Sequence, residues 1–128
     1  TRKRSSAASD VYKRQMYAAS NKLDNICLIV DLNHLQVEGH TKKVMAMDPV
    51  DKKFQAFGWA VKTVDGHDFG ALGEAFEYAR SNLNIPTVIL AETIVGKGIP
   101  FLENQMSHNM VLPADVAEQC LTILESDA

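Results

Sequence analysis

Residues 26–39 read ICLIVDLNHLQVEG, and the reading of this stretch decides the fold. Cys27, Leu28, Ile29 and Val30 form an apolar, partly β-branched run, the pattern of a strand buried on both faces of a parallel sheet. Polar chemistry follows at once. Asp31 and Asn33 would stand at the carboxyl end of that strand, where open α/β sheets hold their ligands. Asn33 offers an amide oxygen, Asp31 a carboxylate, and the carbonyls of a chain turning towards Gly39 can point into the same space. Such hard oxygen donors suit Mg²⁺, which takes few ligands from protein and the rest from phosphate and water. The same residue types are also ordinary turn formers that hydrogen-bond their own backbone. Spacing alone leaves both roles open.

Upstream, residues 16–23 (MYAASNKL) have the composition and apolar spacing of a closing helical turn or two, with Asp24-Asn25 as the exit. Downstream, Asp48 is placed to cap a helix with Pro49 at its first position, and Val50, Phe54 and Phe57 recur at helical spacing up to Gly58. Residues 59–64 (WAVKTV) alternate as a second strand. Asp65-Gly66-His67-Asp68 then makes a turn in which Asp68 caps the next helix, whose buried face is Leu72, Ala75, Phe76 and Ala79. His67 serves either as a turn residue or as a functional one. Pro86 prevents that helix from continuing, and residues 87–91 (TVILA) read as a third buried strand.

Glu92 and Thr93 emerge from the end of the third strand, followed by residues 94–101, IVGKGIPF. A Gly-x-Gly pair there can let backbone approach a phosphate, and equally reads as a flexible loop. Lys97 can meet an anion or face water. His108 lies in a further loop, at a place open to a surface or a catalytic role. A final amphipathic helix runs from Pro113 or Ala114 to Glu125, and its Val116, Cys120, Leu121 and Leu124 are expected to dock on the sheet.

The chain has 128 residues, 46% of them hydrophobic, which permits one modest domain with a core. No run approaches the roughly 18 apolar residues of a membrane span, and no secretory signal opens the chain, so the cytoplasm is the expected compartment. Cys27 and Cys120 stand far apart without a Cys-x-x-Cys pair or histidines at zinc spacing, which argues against a disulfide scaffold or structural zinc. Charge is uneven. Five cations (Arg2, Lys3, Arg4, Lys13, Arg14) against Asp10 give residues 1–15 a net +4, and the whole chain's −3 leaves −7 for the rest. An acidic body argues against nucleic acid as a partner. Residues 1–15 lack useful apolar periodicity and read as a loop or frayed helical extension with no role of its own. Their SSAASDVYKRQ run resembles a translated sequencing adapter, so the native sequence is expected to begin near Met16.

Taken together, KLDN, ICLIVDLNHLQVEG, AFGW, VDGHD and GKG resemble, in that order, the diphosphate-binding domain of transketolase, in particular the separate N-terminal subunit of split bacterial transketolases. The likeness runs from Met16 to the last helix. It implies that residues 16–128 are the C-terminal part of that domain: a partial three-layer α/β fold, with a mostly parallel sheet flanked by helices. Thiamine diphosphate and Mg²⁺ are the implied cofactors. Transfer of a two-carbon ketol unit from a ketose phosphate to an aldose phosphate is the implied activity.

By matching positions, Asn33 would give its side-chain oxygen and Leu35 its main-chain carbonyl to Mg²⁺. Val37 would touch the thiazolium ring, and His108 would assist proton handling or hydrogen-bond the substrate. The family's Gly-Asp-Gly motif, whose Asp ligates the metal, would fall at Lys3, where an ammonium would repel the ion. The implied partner is a C-terminal, pyrimidine-binding subunit or domain, in a dimer or higher oligomer, with the present chain inactive by itself. Other thiamine-diphosphate enzymes, a deoxyxylulose-phosphate synthase or a 2-oxoacid dehydrogenase component, share the metal pattern. A non-catalytic α/β binding module is the alternative from another class.

Overall fold

The structure is a computed structural model and describes residues 7–36, 38–105 and 110–126, with side chains from Tyr12 onward. In chain order the elements are α1 (Ala7–Ser20), β1 (Cys27–Leu32), β2 (Leu35–Gln36), β3 (Gly39–His40), α2 (Thr41–Val44), α3 (Val50–Ala56), β4 (Ala60–Asp65), α4 (Phe69–Ser81), β5 (Thr87–Glu92) and α5 (Ala114–Ser126). They fall into two compact units. One comprises residues up to Leu32 and Asp48–Glu92, the other Asn33–Met47 and residues from Thr93 on.

The first unit is a three-stranded sheet in the order β1-β5-β4, with both pairings parallel. Thr87 lies level with Cys27 on one side and Ala60 on the other. Because β5 is central, its TVILA run is enclosed: Val88 and Ile89 have no exposed surface. Successive side chains of a strand point to opposite faces, and the two faces meet different helices. Val88 and Leu90 pack with Ala18 of α1, Phe54 of α3 and Trp59, and Val30 and Leu32 of β1 join them. Ile89 points the other way, onto Val64 and the Ala71, Leu72 and Ala75 stripe of α4. Helix, sheet, helix is the layering expected from the sequence. Asp68 caps α4 as its position requires, accepting from the amides of Gly70 (2.8 Å) and Ala71 (3.0 Å).

Three expectations are corrected here. The run at β1 is not buried on both faces: Ile29 is 53% exposed, whereas Ile89 beside it is 0%. β1 is an edge strand, and α4 packs mainly against β4 and β5, so Ile29 lacks the cover that the sequence pattern presumes. Asp48 does not cap α3. Pro49 occupies the N-cap, with no side-chain hydrogen bond there, and the helix begins at Val50. Residues 7–15 form the helical extension that is one of their two readings, as part of α1, but Gln15 is not without a role: its carbonyl accepts the indole N–H of buried Trp59 at 2.9 Å.

In the second unit, β2 and β3 form a short antiparallel hairpin, with Leu35 opposite His40 and Gln36 opposite Gly39. Gly39 leads into α2. The loop from Thr93 is wound into successive turns, in which Ile99 N–H donates to Gly96 O, Leu102 N–H to Ile99 O and Asn104 N–H to Val95 O. Of the α5 residues expected to be covered, Cys120 is buried and Val116 half-buried, while Leu121 and Leu124 keep about half their surface exposed. Among the described residues, no helix is long and apolar enough to cross a membrane.

Candidate functional site

Asn33 is the first residue after β1, so the chain leaves the parallel strand and turns immediately. Its side chain forms the turn. Asn33 Oδ1 accepts the backbone N–H of Leu35 at 3.0 Å, and both residues are half-buried. Between them His34 adopts φ 59°, the left-handed region. The His34 carbonyl accepts the N–H of Thr41 at 2.9 Å, which ties the turn to the start of α2. Sequence reasoning did not anticipate the left-handed residue. Asparagine and histidine are among the non-glycine residues that tolerate this conformation best, a signal too weak to single out position 34.

Both turn-forming and metal-binding readings of Asn33 can hold at once. An amide oxygen carries two lone pairs, so accepting the Leu35 N–H does not by itself bar a cation. Asn33 Oδ1 and the Leu35 carbonyl are neutral, hard oxygen donors two residues apart, and such a pair fits an Mg²⁺ ion that takes its other ligands from a diphosphate and water. Among the described residues, no group of three or more His, Cys, Asp or Glu could hold a metal ion unaided. Asn33 and Leu35 are a donor pair that would need the other ligands of a cation to come from elsewhere.

Other sequence candidates are placed as follows. Val37 and His108 lie outside the described residues, as does Lys3. Glu92 is the exposed last residue of β5, and its carbonyl accepts Gly66 N–H at 2.7 Å. His67 N–H donates to Asp65 Oδ1 at 2.8 Å, as a turn residue does. Lys97 Nζ lies 3.8 Å from Glu103 Oε1, and the same oxygen accepts Gly98 N–H at 3.3 Å. That carboxylate was not foreseen as the partner of Lys97. Gly96 and Gly98 take φ 74° and 93°, so the GKG run is a structured turn that needs its glycines.

A family model described as transketolase, thiamine diphosphate binding domain, matches residues 10–125. The chain belongs to this family. A 6-deoxy-6-sulfo-D-fructose transketolase subunit of a Clostridium species is 33% identical over 118 residues, covering 91% of this chain and 43% of that protein. A transketolase family protein of Sinorhizobium fredii is 43% identical over 110 residues, covering 84% and 39%. Among solved structures, transketolase from Campylobacter jejuni superposes with a TM-score of 0.79 at 31% identity, over 87% of this chain and 17% of that one. The transketolase-family chain described here thus spans about two fifths of the length of these two relatives. Thiamine diphosphate is the cofactor that the family's domain binds.

Proposed function

We propose that this chain forms the diphosphate-and-metal wall of a transketolase, acting in the cytoplasm on sugar phosphates. In this reading Asn33 Oδ1 and the Leu35 carbonyl hold Mg²⁺ against the diphosphate, Val37 lies against the thiazolium ring, and His108 handles a proton or hydrogen-bonds the substrate. A C-terminal subunit or domain supplies the pyrimidine-binding wall, in a dimer or larger assembly. Thiamine diphosphate, when bound, supplies the carbanion chemistry that moves a two-carbon unit from ketose phosphate to aldose phosphate. The chain's own residues bind and orient the charged tail of that cofactor.

The carrying observation is the turn at Asn33–Leu35, directly after a parallel strand, in a chain whose residues 10–125 match the transketolase domain. Charge gives secondary support, because neutral donors leave the ion's positive charge to the diphosphate. The 128 residues by themselves are expected to show negligible turnover with Mg²⁺, thiamine diphosphate and a ketose phosphate donor. Turnover is expected when a longer version of the chain is mixed with a pyrimidine-binding subunit. Clear turnover by the 128 residues alone would contradict the division of labour proposed. If the longer chain with its partner failed to bind thiamine diphosphate in calorimetry, the reading as a diphosphate wall would fall.

A further inference from the structure

We propose that Asp65–Gly66 is a modification site, an aspartyl-glycyl pair able to rearrange to isoaspartate, and that the paired carboxyl end of β4 suppresses the rearrangement. Of the chain's seven glycines, Gly66 alone follows an aspartate or asparagine. With no Cβ on Gly66, its nitrogen is open to approach from the side. That backbone nitrogen attacks the side-chain carboxyl carbon of Asp65. An N–Cγ bond forms, a Cγ–O bond breaks, and the hydroxyl leaves as water with the proton that the nitrogen gives up. The resulting succinimide takes water back at either carbonyl. Cleavage at Cγ restores aspartate, whereas cleavage at the main-chain carbonyl routes the chain through Cβ and Cγ as isoaspartate, with no net change of mass.

Asp65 is exposed, so geometry rather than burial has to restrain it. Ring closure needs the Gly66 nitrogen to eclipse the Asp65 Cβ about the Cα–C bond. Asp65 is the last residue of β4, level with Glu92 of β5, and extended strand backbone keeps those two atoms far from eclipsed. The peptide plane between Asp65 and Gly66 is also held at both edges. Gly66 N–H donates to the Glu92 carbonyl at 2.7 Å, and the Asp65 carbonyl accepts Asp68 N–H at 3.3 Å. The carboxylate itself is engaged, with Oδ1 accepting His67 N–H at 2.8 Å. Turning the plane into the reactive geometry breaks the contacts at both of its edges. Rearrangement therefore proceeds from the opened end of β4, at a rate set by how often that end opens. The product does not fit the same turn. An extra main-chain carbon would draw Gly66 N–H off Glu92 and shift Asp68, whose side chain caps α4.

The test incubates the full 128-residue chain at one pH and temperature, in buffer and in urea above its unfolding midpoint. Isoaspartate is counted by methyl transfer from S-adenosylmethionine with an isoaspartyl methyltransferase. Electron-transfer fragmentation of the tryptic peptide 63–80 then separates Asp65 from Asp68. In urea, isoaspartate is expected to accumulate at position 65 ahead of every other position. In buffer it should form at least about tenfold more slowly, because a paired strand end opens only part of the time. Urea below the midpoint should raise the rate in step with hydrogen exchange of the Gly66 amide. Asp65→Glu, which would have to close a six-membered ring, should abolish the urea signal.

Equal or faster formation in buffer would overturn the suppression. Accumulation in urea mainly at another position, or its persistence in Asp65→Glu, would overturn the site. Slow formation in buffer together with an unprotected Gly66 amide would overturn the assignment of the restraint to β4 pairing.

Discussion

Gly96→Ala and Gly73→Ala make the same chemical change, and the structure assigns them opposite signs. At Gly96 an added Cβ would lie 2.5 Å from the carbonyl oxygen and 2.8 Å from the carbonyl carbon of Leu102. Both are backbone atoms, with no rotamer to escape into. The left-handed φ of 74° costs an L-residue about 1–2 kcal/mol, and forcing atoms into a packed site costs about 1–3 kcal/mol more. The sum, roughly 2–5 kcal/mol, falls on the turns that close Val95–Asn104. Gly73 sits inside α4 with nothing within 4 Å of the added methyl, so alanine there should stabilise by about 0.5–1 kcal/mol through helix propensity. Amide hydrogen exchange separates the two. Gly96→Ala should speed exchange at Asn104 and Leu102, whose N–H groups donate to Val95 and Ile99, before β5 is affected. Gly73→Ala should raise the urea midpoint. Unchanged protection at Asn104 in Gly96→Ala would refute the close approach on which the reasoning rests.

Asp68→Ala removes the oxygen that accepts two amides at the start of α4 and should cost about 0.5–2 kcal/mol in urea unfolding; no loss would mean that the cap is not used. Trp59→Phe leaves the Gln15 carbonyl without its indole donor. It should destabilise by about 1–3 kcal/mol and speed amide exchange in α1, whereas unaltered α1 exchange would show that the contact does not hold the helix. Cys27 is exposed, but the part of its surface that is desolvated pushes its thiol above its usual 9.0, and only the thiolate attacks. Alkylation of Cys27 should therefore reach half its maximal rate above pH 9.0 and precede that of buried Cys120. A midpoint below 9.0, or Cys120 reacting first, would contradict these environments.

The fold was legible where sequence period and burial coincide. TVILA reads as a central strand and is one, because β5 has a neighbour on each side and a helical layer on each face. Asp68 reads as a cap because its spacing to the next amides is local. ICLIV reads just as apolar as TVILA, yet β1 lies at an edge with Ile29 exposed. Apolarity reports what a strand can bury, and not which neighbours are present to bury it. The site was half legible. Residue type and place after a strand pointed to Asn33, but the left-handed turn at His34 depends on dihedral angles that no side-chain pattern encodes. The role of Gln15 was hidden for a related reason, since its carbonyl is a backbone group and its partner Trp59 lies 44 residues away.

The most direct measurement is anomalous diffraction from a longer form of this protein, assembled with its pyrimidine-binding partner and crystallised with thiamine diphosphate and Mn²⁺ in place of Mg²⁺. The account predicts one Mn²⁺ peak at coordination distance, about 2.0–2.3 Å, from both Asn33 Oδ1 and the Leu35 carbonyl oxygen, bridging to the diphosphate. A peak on the diphosphate with Asn33 and Leu35 beyond coordination distance would contradict it.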